Sequence, residues 1–529
     1  MNVEVFTRRA SGLVRSVKAR DVFVYNVATI NIGIGVGTAL LYGPALYQGA
    51  NLNLATWIVV LGSLFQVLVY YYFSVTMPRS GGEYIYLTRT FVPVVGFALS
   101  LQLAVWHQFY GAWLSSTFAN MGLSTLFHIL GTNLGNSGLL SAAVWVSTPG
   151  GVFLIGATLI LFAALLHHLG LEKFFKVQMW AFAISMIGLV ALIAVLMTHT
   201  RADFVTAFNS YASGQIAGPS PYDTVISVAK EGGWGNPGFN WPATLKFTVW
   251  PFFMLAFGIM CGSFAGEIRN VQKTQLFGLP GAVIFTGLIM VILNSLTSKV
   301  MGYDFLGAIG WNSLNAPQAS TAVTPWMHLL ASLLTKNTLL LVVITVGFLM
   351  WSYFWVGGNM LYGTRAVLAW SMDRVLPEKL SFVDPKRHTP TYSIIVCAGA
   401  QLTLLALYCF TPWLRSLVGI FAMCLTFLAL SVAGVVFPFL RKDMFERSPV
   451  NHRIGKVPIL SIVSVLNLIF MLFIIYMFLI DSFASGGPKA TLIAVTPALV
   501  GAIYFYIRRA VKARRGVNVD LAFKQIPVE

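Results

Sequence analysis

Two stretches of this 529-residue chain have the composition of a helix that is interrupted where it should be continuous. The first reads Asn31-Ile32-Gly33-Ile34-Gly35-Val36-Gly37, with Pro44 further along. Three glycines within five residues weaken a helix by about 1 kcal/mol each. The second, Phe257-Gly258-Ile259-Met260-Cys261-Gly262-Ser263, follows Pro251 and is glycine-interrupted near its middle. A single glycine-rich stretch in an apolar helix often does no more than allow close packing. Two of them in matching places point instead to a binding site for a small solute.

Ionisable groups within apolar runs are the other candidates for chemistry. His107, in Trp106-His107-Gln108-Phe109-Tyr110, can titrate near neutral pH, or stand neutral and hydrogen-bonded between helices. The four cysteines (Cys261, Cys397, Cys409, Cys424) lie in apolar runs at irregular spacing and read as small buried hydrophobes. No phosphate-cradling loop, nucleophile elbow or zinc motif occurs, so covalent catalysis is not expected and neither is a cofactor or a metal.

The elements that must position these groups are membrane helices. The chain is 57% hydrophobic and 10% charged, against about 25% charged in an ordinary soluble domain. Apolar runs such as 58–77, 280–298 and 338–358 can each cross about 30 Å of hydrocarbon as a helix, and none alternates like a barrel strand. Spans are expected at roughly 21–46, 53–77, 93–121, 151–169, 174–198, 245–267, 277–301, 338–371, 391–410, 413–440, 457–481 and 490–510. The chain is therefore expected to be an all-α polytopic membrane protein of about twelve helices.

Charge then orients it. Of 34 Lys and Arg, only Arg201, Lys230, Lys246, Lys299, Lys336, Arg415 and Lys489 fall on one side. The other 27 fall on the opposite side, in clusters that include Arg8 to Arg20, Arg365 to Arg387, Arg441 to Lys456 and Arg508 to Arg515. The positive-inside rule puts both termini in the cytoplasm of a multi-pass cell-membrane protein. It also accounts for the formal charge of +17, which would otherwise invite a nucleic-acid partner. The bilayer is the expected partner, nucleic acid is not, and no cleavable signal peptide is expected.

The two interrupted spans are the first and the sixth. Five spans separate them, an odd number, so the second five must run oppositely through the membrane. The expected organisation is a cytoplasmic arm (1–20), a first five-helix repeat (21–198), an extracellular loop (199–244), an inverted second repeat (245–440), a cytoplasmic loop (441–456), two further helices (457–510) and a cytoplasmic tail (511–529). The 199–244 loop reads as a partly ordered lid or a plain connector.

Four stretches, in this order, carry a resemblance that extends over nearly the whole chain. They are Gly33–Gly37 followed by Pro44; Met77-Pro78-Arg79-Ser80-Gly81-Gly82-Glu83-Tyr84-Ile85-Tyr86; Phe264-Ala265-Gly266-Glu267-Ile268-Arg269-Asn270; and Gly363-Thr364-Arg365 with Asp373-Arg374-Val375-Leu376-Pro377 and Thr389-Pro390. The chain resembles the amino acid–polyamine–organocation superfamily of permeases, amino acid permease type. That resemblance implies a five-plus-five inverted repeat with discontinuous helices 1 and 6, two additional C-terminal helices, and alternating-access movement of amino acids or related amines.

It also implies a site. A zwitterion in low dielectric needs partners for both charges. By resemblance, freed N–H groups around Ile32, Gly33, Gly35, Val36 and Gly37 suit the carboxylate, and freed carbonyls at Phe257, Gly258 and Ile259 suit the ammonium. The chain departs from the family in having Val36 where serine is common, and no acidic or polar residue directly after Phe257. Tyr110 and Trp355 are candidate lids or ligands. His107 is the candidate for proton coupling and Ser352, on span eight, for sodium. Glu83, Glu267 and Arg365 are expected to be structural or to latch an inner gate, with the two glutamates paired to arginines such as Arg79 or Arg365.

All seventeen Asp and Glu lie in loops, termini or span ends. A strongly cationic substrate would want a buried counter-charge, so neutral or apolar amino acids are favoured. The alternatives are a polyamine or organic-amine carrier, and a non-transporting sensor with a permease fold. The first runs against the placement of carboxylates; the second predicts long terminal domains, where the arms here are about 20 residues. Substrate identity, coupling ion, direction and oligomeric state are left open.

Overall fold

The computed structural model describes residues 11–412, 414, 419–516 and 518–524. Arg8 and Arg415, and the outermost parts of both terminal arms, lie outside the described residues. Among the described residues, eleven helices are long and apolar enough to cross a membrane. In chain order these are span 1 (Ala19–Leu46), span 2 (Leu52–Thr76), span 4 (Pro149–Leu169), span 5 (Leu171–Thr198), span 6 (Trp241–Ser263), span 7 (Val271–Met301), span 8 (Thr338–Met372), span 9 (Thr391–Phe410), span 10 (Ile420–Leu440), span 11 (Ile459–Ile480) and span 12 (Ser482–Ala513).

Span 3, Pro93–Thr117, has 25 residues, enough for roughly 37 Å at 1.5 Å per residue. It buries Gln102, His107 and Gln108 within the bundle. It continues through a π-helical turn, Phe118–Leu123, into the helix Ser124–Leu134. The chain is thus an all-α polytopic membrane protein.

Burial sorts the spans. The most apolar stretch of span 1 is entirely buried, and spans 6, 8 and 10 are mostly so. Spans 4, 5, 7, 11 and 12 instead expose rows of large apolar side chains, such as Leu161, Ile187, Leu288, Leu472 and Leu499. In water such a belt would be an aggregation liability; against lipid it is the expected surface.

The connections gather into two ends that do not mix. At one, Val17 pairs with Glu267 and Arg269, Gly81 donates to the Ser263 carbonyl, Arg441 to the Arg89 carbonyl, and Arg508 to the Val375 carbonyl. This end is rich in arginine. At the other, Asn240 N–H meets the Gly49 carbonyl, Trp234 the Pro44 carbonyl, and Tyr47 Asp481.

Several boundaries differ from the sequence expectation. Spans 4 and 5 part at Gly170, whose φ of 116° suits glycine alone, so Glu172 to Lys176 open span 5 rather than separate the two. The described helix of span 10 begins at Ile420. The 199–244 segment is not bare loop; it holds helices Arg201–Ala212 and Pro221–Glu231. The connection from span 7 to span 8 carries a further helix, Tyr303–Asn315. The four cysteines are all buried.

Candidate functional site

Span 1 leaves helical geometry at Asn31 and not at the glycines. Asn31 has φ 65° and ψ 72°, ending helix Ala19–Ile30 and capping helix Ile32–Leu46. Asparagine tolerates the left-handed region because its short amide bonds locally. Here its Oδ1 accepts from Ile34 N–H at 3.2 Å and its Nδ2 donates to the Trp351 carbonyl at 2.9 Å. Gly35 N–H bonds to the Asn31 carbonyl at 3.0 Å. The Gly35 and Gly37 N–H groups are therefore helical, and the free first-turn donors at the head of the half-helix are those of Ile32 and Gly33. The glycines act by proximity. A methyl group on Gly33 would lie 2.3 Å from Trp351 Cδ1, and one on Gly35 2.5 Å from Met254 Cγ. Val36 is fully buried beside them.

Span 6 tightens where a break was expected. Residues Ala256–Ser263 form a 3-10 helix, followed by a second short turn, Ala265–Glu267. Long 3-10 runs have poorer hydrogen-bond geometry than α-helix and mark hinges. The hydroxyl of Thr29 donates to the Phe257 carbonyl at 3.3 Å, and Tyr86 OH to the Gly262 carbonyl at 3.3 Å. Gly258 and Ile259 are buried against span 1, with Ile30 the nearest side chain to Gly258.

The two interruptions meet span 8. The indole N–H of Trp355 donates to the Thr29 carbonyl, which the break at Asn31 deprives of its helical partner. Tyr25 OH reaches the Gly358 carbonyl at 3.0 Å. Around this seam, Trp355 and Phe257 lie 4.1 Å apart by ring centroids, with Tyr110 at 5.6 Å from Phe257 and 5.9 Å from Trp355. His107 stands edge-on to Phe257 at 5.4 Å. Phe257, Tyr110, Trp355 and His107 are thus brought together. Ser352 is buried one turn away, and its hydroxyl has no hydrogen-bond partner among the described residues.

His107 Nδ1 lies 2.6 Å from Asn359 Oδ1, while Asn359 Nδ2 donates to the Trp355 carbonyl at 2.7 Å. The amide oxygen can only accept, so the histidine proton is on Nδ1 and Nε2 is left as a buried, unpartnered acceptor. On its far side the imidazole lies 3.8 Å from the ring of Tyr362.

The gate residues divide into separate contacts. Arg365 and Glu267 form a buried ion pair at 2.8 Å. Glu83 does not pair with an arginine, as the sequence reading expected. It takes two phenols, Tyr70 OH at 2.5 Å and Tyr362 OH at 2.8 Å, and is fully buried. Arg79 instead donates to the Pro78 carbonyl. The reason is spatial: Glu83 opens helix Glu83–Thr90, which turns its first residue inward between spans 2 and 8.

Sequence reasoning missed Thr29, Asn31 and Tyr362 as parts of the site, and it missed the pair Arg89–Asp373, whose atoms approach to 2.8 Å with both side chains wholly buried. Asn31 was the legible one, an asparagine directly before a glycine-rich run. The cavity that touches Gly33 has a volume of about 10 Å³, bounded by His328, Phe348 and Trp351 among others. That is about the space of one water, and Phe257, Tyr110 and Trp355 do not line it.

A family described as amino acid permease matches residues 22–504. The chain is also 26% identical over 463 residues to the branched-chain amino acid permease BcaP of Bacillus subtilis (strain 168), covering 84% of this chain and 86% of that relative.

Proposed function

Because the chain belongs to the amino acid permease family, we propose that it moves neutral, apolar amino acids across the cell membrane by alternating access. Spans 1–5 and 6–10 form the inverted halves in this reading, and the arginine-rich end, with both termini, faces the cytoplasm. The relative named as a branched-chain permease supports the substrate class.

The observation that carries the proposal is the seam at Asn31. Two first-turn N–H groups, those of Ile32 and Gly33, head a half-helix whose dipole favours a carboxylate. Phe257, Tyr110 and Trp355 stand beside it and supply an apolar surface for a side chain. Among the described residues no carboxylate contacts these rings; Glu83 is set behind Tyr362, whose ring faces His107. A cationic side chain would enter such a site without a counter-charge, at a cost of several kcal/mol.

The test is uptake into proteoliposomes with a panel of radiolabelled amino acids and putrescine. Leucine, isoleucine and valine are expected to enter and to compete with one another. Competition by arginine or putrescine alone overturns the assignment in favour of an amine carrier.

A sodium-coupled form of the same reading is favoured by one observation. Ser352 presents a buried hydroxyl without a partner on span 8, directly after Trp351, whose carbonyl binds Asn31 at the break. Sodium-dependent uptake that is lost in Ser352→Ala supports it.

A further inference from the structure

Glu83 is an anomaly that permease function as described does not use. A carboxyl group shut away from water normally has a cation beside it or sheds its charge. The other buried acids of this region follow the rule, Glu267 with Arg365 and Asp373 with Arg89. Glu83 instead accepts from two hydroxyls, Tyr70 from span 2 and Tyr362 from span 8, and from its own backbone N–H.

Among the described residues, no arginine, lysine or histidine forms an ion pair with Glu83. Tyr86 on its own helix faces Tyr70 at 6.4 Å between ring centroids. Span 10 contributes Phe427 next to Tyr70. Arg365, one turn along span 8 from Tyr362, is held at two points by Glu267. Arg89, with Tyr84, is committed to Asp373. Beyond Tyr362 stands His107, whose bonded nitrogen is taken by Asn359. Burial disfavours the carboxylate, and two phenol donors favour it. The balance is one that a small rearrangement can tip.

Position gives that balance a consequence. Gly81 N–H, two residues before Glu83, donates to the Ser263 carbonyl at the end of the span 6 3-10 helix. The segment 81–83 therefore joins spans 2, 6 and 8 at the arginine-rich end, and Tyr362 connects it to His107 and the aromatic cluster.

We infer that Glu83 is the proton-binding site of the transport cycle, and that its ionisation state opens and closes the arginine-rich end of the bundle. As a carboxylate it accepts from both phenols and clamps span 2 to span 8. Protonated, it accepts from one phenol and gives its own hydrogen to the oxygen of the other, so both bonds lose their charge assistance and the strap weakens. A proton arriving through the opened aromatic cluster by way of Tyr362 thus permits the far end to part. Exposure to that side then returns the proton to water and restores the clamp. Uptake would be coupled to proton entry.

The inference rests on the reading of the chain as an amino acid carrier, and the test separates the two. The full-length protein is reconstituted in liposomes, and ³H-leucine counterflow is measured alongside accumulation driven by an acid-outside gradient. In Glu83→Gln, gradient-driven accumulation is expected to fall at least tenfold, to the level without a gradient, and leucine counterflow to lose its dependence on pH. Tyr70→Phe and Tyr362→Phe keep the carboxyl but each remove one donor to its charged form. Both should move the half-maximal pH of uptake upward, and they serve if Glu83→Gln does not fold. Accumulation by Glu83→Gln that still follows the gradient, or phenol variants with unmoved profiles, overturns the assignment. So does a wild-type protein that exchanges leucine but ignores the gradient. Wild type without leucine exchange overturns the substrate reading instead, and the same Glu83→Gln comparison is then decided with a mixture of the twenty amino acids.

Discussion

Arg365 and Glu267 meet at two points, Nε to Oε1 and Nη2 to Oε2, each at 2.8 Å, and each side chain is only 2% exposed. The pair joins span 8 to the turn that ends span 6, so it ties the hinge segment to a rigid helix. Breaking such a pair by removing one partner leaves a buried charge and costs about 3–5 kcal/mol. Arg365→Ala and Glu267→Ala are each expected to lower the detergent-solubilised melting temperature sharply. The double replacement Arg365→Met with Glu267→Leu should recover most of that loss, because matched apolar groups strand no charge. Thermal unfolding of the four proteins checks the pattern; additive single effects would contradict it.

Gly33 faces the indole of Trp351 so closely that an added methyl would sit 2.3 Å from Cδ1. Trp351 cannot easily yield, since it is buried and its carbonyl holds Asn31. Gly33→Ala is therefore expected to push span 1 from span 8 and to reduce leucine uptake at least tenfold. Gly399→Ala, on span 9, meets nothing within 4 Å and should stabilise by about 0.5–1 kcal/mol through helix propensity. Uptake and melting of both variants, measured side by side, decide it.

Trp355 gives its indole N–H to the Thr29 carbonyl at the interruption of span 1. Trp355→Phe preserves an aromatic surface against Phe257 but strands that buried acceptor, at about 1–3 kcal/mol. The expected result is a lower melting temperature together with a raised KM for leucine. An unchanged KM would remove Trp355 from the candidate site and leave it a packing residue.

The ion pair Arg89–Asp373 is roofed by the C-terminal segment. The Arg89 guanidinium lies 5.3 Å from the Phe523 ring centre and donates to the Ala522 carbonyl at 3.4 Å. Buried pairs are screened little by salt, exposed ones strongly. Phe523→Ala is expected to destabilise the protein by about 3 kcal/mol as a buried aromatic loss. It should also make the melting temperature fall with added NaCl where the wild type is insensitive. Salt titrations of melting for the two proteins test this.

Much of the architecture was legible in the chain. Runs of some twenty apolar residues have one stable solution in hydrocarbon, so the spans could be placed to within a few residues, as Thr391–Phe410 and Ile459–Ile480 illustrate. Span 3 was legible too, despite Gln102, His107 and Gln108, because its length and flanks outweighed three polar residues that the bundle buries. Phe257, Tyr110, Trp355 and His107 were named separately, for different roles; that their rings share one cluster is a fact of the fold.

What the sequence determined, then, was the medium, the number of crossings, and the family whose motifs the chain carries, since these depend on composition and on local order along the chain. The tertiary structure decided the rest. It put the interruption of span 1 at Asn31, because a side-chain cap and a bond to Trp351 stabilise a left-handed residue there, whereas the glycines serve close approach. It gave Arg365 to Glu267 and left Glu83 to Tyr70 and Tyr362, residues 13 and 279 positions away. No count of charges predicts that choice. Which partner a buried carboxyl meets depends on where three helices cross, and only packing settles that.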